Sequence, residues 1–197
     1  MKKKEMDQAN VPSDIKVMVV GNAGVGKSCI VKRFLKKPLD AEYRPTKQDV
    51  YSKLVEVDGQ SYQVEIFDTA GFYSVAAYRD SLYKCSDGFV LTFSISDEES
   101  FNNLNFLQNR IRINRPDASL ILVGNKKDLR ESREITEQEG ADLAAKYRCP
   151  YYESSALFDD NISPIFQSLV REVAKQRKQD LLLSSAKNRK DKSCKLM

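Results

Sequence analysis

The chain contains no histidine. That excludes an imidazole general base, a histidine–zinc centre and any Ser-His-Asp triad. Cysteine is scarce. Cys29, Cys85, Cys149 and Cys194 are scattered without metal-ligand pairing, so a reducing cytosolic compartment is the simple expectation. No apolar run approaches the length of a membrane span, and the start, Met1-Lys2-Lys3-Lys4-Glu5, lacks the apolar core of a signal peptide. There is no internal repeat and no sign of a second domain.

What is present suffices for one domain with a full core: 197 residues, 41% hydrophobic and 30% charged. The net charge of +4 is unevenly placed. Residues 175–197 hold eight Lys or Arg and two Asp, a net of +6, which leaves −2 for residues 1–174. A near-neutral body with a cationic arm is not the profile of a nucleic-acid-binding domain. It suits an anionic surface.

Apolar strand-like runs alternate with helix-like stretches. The strands are expected at Ile15–Val20, Val50–Val57, Tyr62–Phe67, Gly88–Ser94, Ser119–Gly124 and Tyr151–Ser154. Asp58-Gly59 signals a tight hairpin between the second and third. Helices are expected at Lys27–Lys37, Glu98–Asn114, Glu137–Tyr147 and Ile162–Lys178, with capping boxes at Ser96/Glu99 and Thr136/Glu139. The alternation predicts an α/β fold, a six-stranded, mostly parallel sheet with helices on both faces. A flexible extension over 1–13, a body over 14–178 and a flexible basic tail over 179–197 complete the expected organisation. Ligands of such sheets sit outside the carboxyl ends of the strands.

The chemistry-bearing motifs fall at those ends. Gly21-Asn22-Ala23-Gly24-Val25-Gly26-Lys27-Ser28 fits the phosphate-loop pattern, between a strand and a helix. Its glycines let successive backbone N–H groups curl around a polyphosphate at a helix N-terminus. Lys27 can reach the outer phosphates and Ser28 can ligate a bridging magnesium. Asp68-Thr69-Ala70-Gly71 follows the third strand; its carboxylate can hold magnesium through water, and Gly71 can give its N–H to a terminal phosphate. Asn125-Lys126-Lys127-Asp128 follows the fifth. A carboxylate there accepts from two donors on one edge of guanine, a donor pair that adenine lacks. Glu153-Ser154-Ser155-Ala156 closes the series, with the Ala156 N–H able to donate to the guanine oxygen.

In this order, with Tyr43-Arg44-Pro45-Thr46 between the first two, the motifs resemble the Ras family of small GTPases over about residues 14–178. The resemblance implies a GTP-binding G domain that needs Mg²⁺, with GTP or GDP as ligand. It implies a nucleotide site of Ala23, Gly24, Val25, Gly26, Lys27, Ser28, Cys29, Leu39, Tyr43, Thr46, Gly71, Asn125, Lys126, Asp128, Leu129, Ser155, Ala156 and Leu157. Magnesium would take Ser28, Thr46 and Asp68. Hydrolysis would involve Lys27, Thr46, Gly71 and Phe72. Residues 40–51 and 71–84 would be switches that the γ-phosphate holds and hydrolysis releases. The ending Cys194-Lys195-Leu196-Met197 resembles a farnesylation signal, although Lys195 stands where an aliphatic residue is usual. Lys187, Arg189, Lys190 and Lys192 supply an upstream basic patch. A monomer at the cytoplasmic face of a membrane, the plasma membrane by preference, follows as the expectation. Its exchange factor, activating protein and effector are not named by any residue.

Several positions depart from the family pattern. Phe72 stands where a glutamine orients the attacking water, and its ring has no hydrogen-bonding group. Ala23 replaces the usual glycine beside the γ-phosphate. Leu39 and Leu157 replace an aromatic ring and a lysine that cover the base. Arg44, Lys47 and Gln48 change the charge of the first switch, against effectors that present a basic strand. Two alternatives therefore stand side by side: a cycling GTP hydrolase, and a module that holds GTP and signals through occupancy. An ATP-using phosphate-loop kinase is a third, and Asp128 argues against it.

Overall fold

The computed structural model describes residues 13–40, 42, 48–69 and 76–193. Six strands form one sheet: β1 (Ser13–Val20), β2 (Gln48–Val57), β3 (Gln60–Thr69), β4 (Gly88–Ser94), β5 (Ser119–Asn125) and β6 (Tyr151–Glu153). Their spatial order is β2-β3-β1-β4-β5-β6. β2 and β3 are antiparallel and the other neighbours are parallel. The helices are α1 (Lys27–Phe34), α2 (Ala76–Cys85), α3 (Glu98–Asn102), α4 (Leu104–Asn114), α5 (Glu137–Tyr147) and α6 (Ile162–Ser193). The expected sheet and the expected order of strands are what the structure has.

Strand alternation divides the core in two. Ile15, Val17 and Val19 of β1 face α1 and α6, beside Ile30, Phe34, Phe166 and Leu169. Met18 and Val20 face the other side, with Tyr83 of α2, Ile111 of α4 and Tyr147 of α5. β4 and β5 are buried on both faces and read as continuous apolar runs, as central parallel strands must. Phe34 and Phe166 stack at 3.9 Å between centroids and join α1 to α6. At the hairpin, Asp58 (φ 52°) and Gly59 (φ 76°) both take positive φ, the backbone a two-residue turn between right-twisted strands requires.

The helices differ from expectation in four places. α1 stops at Phe34 rather than Lys37, because Lys36 turns left-handed (φ 57°) and the amides of Lys36 and Lys37 fold back to Arg33 O and Lys32 O. The expected helix Glu98–Asn114 is interrupted at Asn103. Its cap is Asp97, whose side chain accepts from the Ser100 amide, and not Ser96; an ionised carboxylate next to the first turn wins that position. α6 runs on to Ser193, so the segment from residue 179, expected to be a flexible tail, is helical to that point. Residues 179–193 hold no Gly or Pro and include three Leu and three Lys, which favour helix. α2 was not expected at all. The capping box of Thr136 and Glu139 is present on both sides, as read.

Candidate functional site

The site begins where β1 ends. Gly21 takes φ 154°, and a Cβ there would lie 2.1 Å from Thr92 O, so the loop leaves the sheet against the β4 backbone. Gly26 caps α1 at φ 97°, and a Cβ there would lie 2.3 Å from Asn125 Nδ2. These two close approaches explain glycine at each end of the phosphate loop. Between them, Ala23 and Gly24 are exposed and Val25 is buried.

Lys27 opens α1. Its side chain turns back along the loop, and Nζ donates to Gly21 O at 3.0 Å and Asn22 O at 2.7 Å. Burial pulls its ammonium down to about 8, with the Asp68 carboxylate opposing. Asp68 stands near the end of β3 and is 1% exposed. Burial pushes its carboxyl up, while a hydrogen bond from Ser28 and the charge of Lys27 oppose that. Among the described residues its Oδ1 has no hydrogen-bond partner. The neighbouring Thr69 hydroxyl donates to Val19 O at 2.8 Å and fixes the strand end.

A dry carboxylate oxygen without a donor, beside a serine hydroxyl, is the oxygen chemistry a hard divalent cation takes. Asp68 and Ser28 fit magnesium on that ground.

The second half of the site is built on β5 and β6. Asn125, 1% exposed, joins it to the phosphate loop. Its Nδ2 donates to Val25 O at 2.8 Å, and its Oδ1 accepts from Ser154 Oγ and the Ala156 amide, both at 3.2 Å. A base oxygen reaching the Ala156 N–H would have to share or replace that bond. Lys126 takes φ 64°, and the turn is closed by Lys127 N to Ser154 O at 3.0 Å and Leu129 N to Lys126 O at 2.8 Å. Asp128 is held from one side, its Oδ1 accepting from the Ser155 hydroxyl. Cys29, Leu39 and Lys126 are half-buried, and Leu129 and Leu157 are exposed.

The structure thus brings together Lys27, Ser28 and Asp68, and separately Val25, Asn125, Asp128, Ser155 and Ala156. Tyr43, Thr46, Gly71, Phe72 and Cys194 lie outside the described residues. So do Arg44, Lys47, residues 1–12 of the extension, and residues 41, 43–47 and 71–75 of the two expected switches.

One contributor was missed. Arg33, in the last turn of α1, donates through Nε to Ala156 O and through Nη2 to Leu157 O, each at 2.8 Å. Nearby, Lys36 pairs with Asp159 at 2.9 Å. No local signal links Arg33 to a loop so distant in sequence. Only the packing of α1 beside α6 brings them together.

Fold and loop together define an α/β protein of the phosphate-loop class. A model of the Ras family matches residues 16–175. Ras-like protein rasS of Dictyostelium discoideum is 38% identical over 192 residues, covering 93% of this chain and 99% of the relative. Ras-related protein R-Ras of mouse is 38% identical over 183 residues, 91% and 84% of the two chains. Mouse GTP-binding protein Rit1 is 34% identical over 187 residues, 94% and 85%. The chain belongs to the Ras family of small GTPases. It is a small GTPase of the switch class, and the family binds GTP and GDP with magnesium.

Proposed function

We propose that this chain is a slowly hydrolysing GTP switch held at the cytoplasmic face of the plasma membrane. The observation that carries the nucleotide site is the buried pair Lys27 and Asp68 with the half-buried Ser28 beside them, one Asp68 oxygen lacking a hydrogen-bond partner among the described residues. Lys27 would give up its two carbonyl contacts to hold the outer phosphates. The phosphate-loop amides would receive the α- and β-phosphates at the N-terminus of α1. Bound magnesium supplies charge neutralisation across the phosphates, and Ser28, Asp68 and Thr46 would hold it. Asp128, steadied by Ser155, would read the guanine edge.

The slow rate rests on Phe72. A ring that can neither accept nor donate leaves the attacking water without an orienting partner. Ala23 adds a methyl group where an activating protein would reach the γ-phosphate. Anchoring rests on Cys194 and the basic residues Lys187, Arg189, Lys190 and Lys192.

Selectivity tests the base assignment. With magnesium present, GTP and GDP should displace a fluorescent GDP analogue and ATP should not. Asp128→Asn should shift preference toward xanthine nucleotides, since an amide presents a donor where the carboxylate accepts. Equal displacement by ATP and GTP would sink the proposal.

A further inference from the structure

The loop after β6 is held from behind by α1. Arg33 spans two successive carbonyls, Ala156 O and Leu157 O, with bonds of 2.8 Å from Nε and Nη2. These are charge-assisted bonds from a planar fork, so they fix direction as well as distance. Lys36, one turn on, pairs with Asp159 in the same loop at 2.9 Å. The loop itself is strained and short-circuited: Asp159 (φ 59°) and Asn161 (φ 58°) are left-handed, and Ser155 and Asp160 exchange backbone bonds of 3.0 and 3.2 Å. The front of the loop carries Ser155, which holds Asp128, and the Ala156 amide.

We infer that Arg33 is a positioning residue for guanine recognition, clamping the 155–157 loop so that Asp128 and the Ala156 amide, which rests on Asn125 Oδ1, keep their places at the base site. The inference rests on the proposed base site. It supplies what the front of the pocket lacks. Leu157 is 57% exposed and offers no cation over the base, and Leu39 offers no ring. With little cover from the solvent side, loop position depends on the carbonyls that Arg33 grips. The same helix carries Lys27 and Ser28 in its first turn. α1 has eight residues and so spans about 12 Å. One rigid element would therefore set the phosphate end and the base end together.

Release of fluorescent GDP and IDP tests the clamp. Hypoxanthine lacks the exocyclic amino group of guanine, so IDP draws less on Asp128. Arg33→Ala should speed GDP release roughly tenfold, the scale of one charge-assisted bond lost. IDP release should rise less, so the preference for GDP narrows. The nucleotide-free protein should keep most of its melting temperature, because the Lys36–Asp159 pair and the backbone bonds between Ser155 and Asp160 still hold the loop. Arg33→Lys, a point donor able to serve one carbonyl, should fall between the two. Unchanged GDP release, or equal acceleration of GDP and IDP, would overturn the clamp. A native chain that binds neither nucleotide would remove the base site itself, which is a different failure.

Discussion

At the scale of single residues, the phosphate half of the site was legible because its spacing is local. Gly21 to Ser28 is one unbroken loop, and its strand and helix flanks could be read beside it. Asn125 and Asp128 were legible for the same reason, but their supports were not. That Asn125 reaches Val25 O, or that Ser155 holds Asp128, depends on strands β1, β4, β5 and β6 lying side by side. Leu39 is half-buried and Leu157 is exposed at the proposed base site. Leucine at 39 and 157 gives apolar contact without stacking. Leu39→Phe should slow dissociation of a fluorescent GDP analogue several-fold, about the 0.5–1.5 kcal/mol that aromatic pairing adds. An off-rate unmoved by the ring would mean that leucine already fills the pocket as well.

Elements were legible where a side chain marks their ends and obscure where backbone geometry does. Thr136 and Glu139 announced α5, whereas the end of α1 was set by a left-handed lysine that propensity would not choose. One pair ties elements under the base site. Arg133, just before α5, meets Glu153 of β6 with bonds of 2.6 and 2.8 Å, and the Tyr151 hydroxyl adds a third at 3.1 Å. Burial pushes the Glu153 carboxyl up, but the bonds and charge of Arg133 outweigh it and hold it below the ordinary glutamate value. Its contribution is therefore complete above that ordinary value and lost as pH falls through the lower folded one. Glu153→Gln should cost about 2 kcal/mol near pH 7, below the roughly 3–5 kcal/mol of a fully buried pair because Arg133 keeps some solvent contact. It should also flatten the acid limb of stability. Urea titrations of both proteins at a series of pH values would show it. A variant that loses stability on acidification as steeply as the native chain would refute this role for the pair.

At the scale of the whole molecule, charge is segregated. The body carries a slight negative balance, and α6 continues past the core into the cationic segment that carries Cys194. Leu181, Leu182 and Leu183 are exposed on that extension, beyond the last core contact at Val173. Among the described residues no helix is long and apolar enough to cross a membrane. The proposed anchor therefore needs two signals. One lipid chain gives an association constant on the order of 10⁴ M⁻¹, and each basic residue adds about 1 kcal/mol at an anionic surface. Neutralising Lys187, Arg189, Lys190 and Lys192 should release prenylated protein from anionic vesicles, and raised salt should do the same by screening. Cys194→Ser should stay in solution whatever the tail charge. An unmodified Cys194-Lys195-Leu196-Met197 terminus, found by mass spectrometry of cell-derived protein, would defeat the anchor and leave the nucleotide site untouched.

In the proposed GTP switch, Phe72 is what slows hydrolysis. Single-turnover hydrolysis of GTP by the native chain, timed beside Phe72→Gln, tests it most directly. Turnover by the native protein should be slow and should rise clearly when an amide can orient the water. Native turnover as fast as that of Phe72→Gln would contradict it, because another group would then be positioning the water.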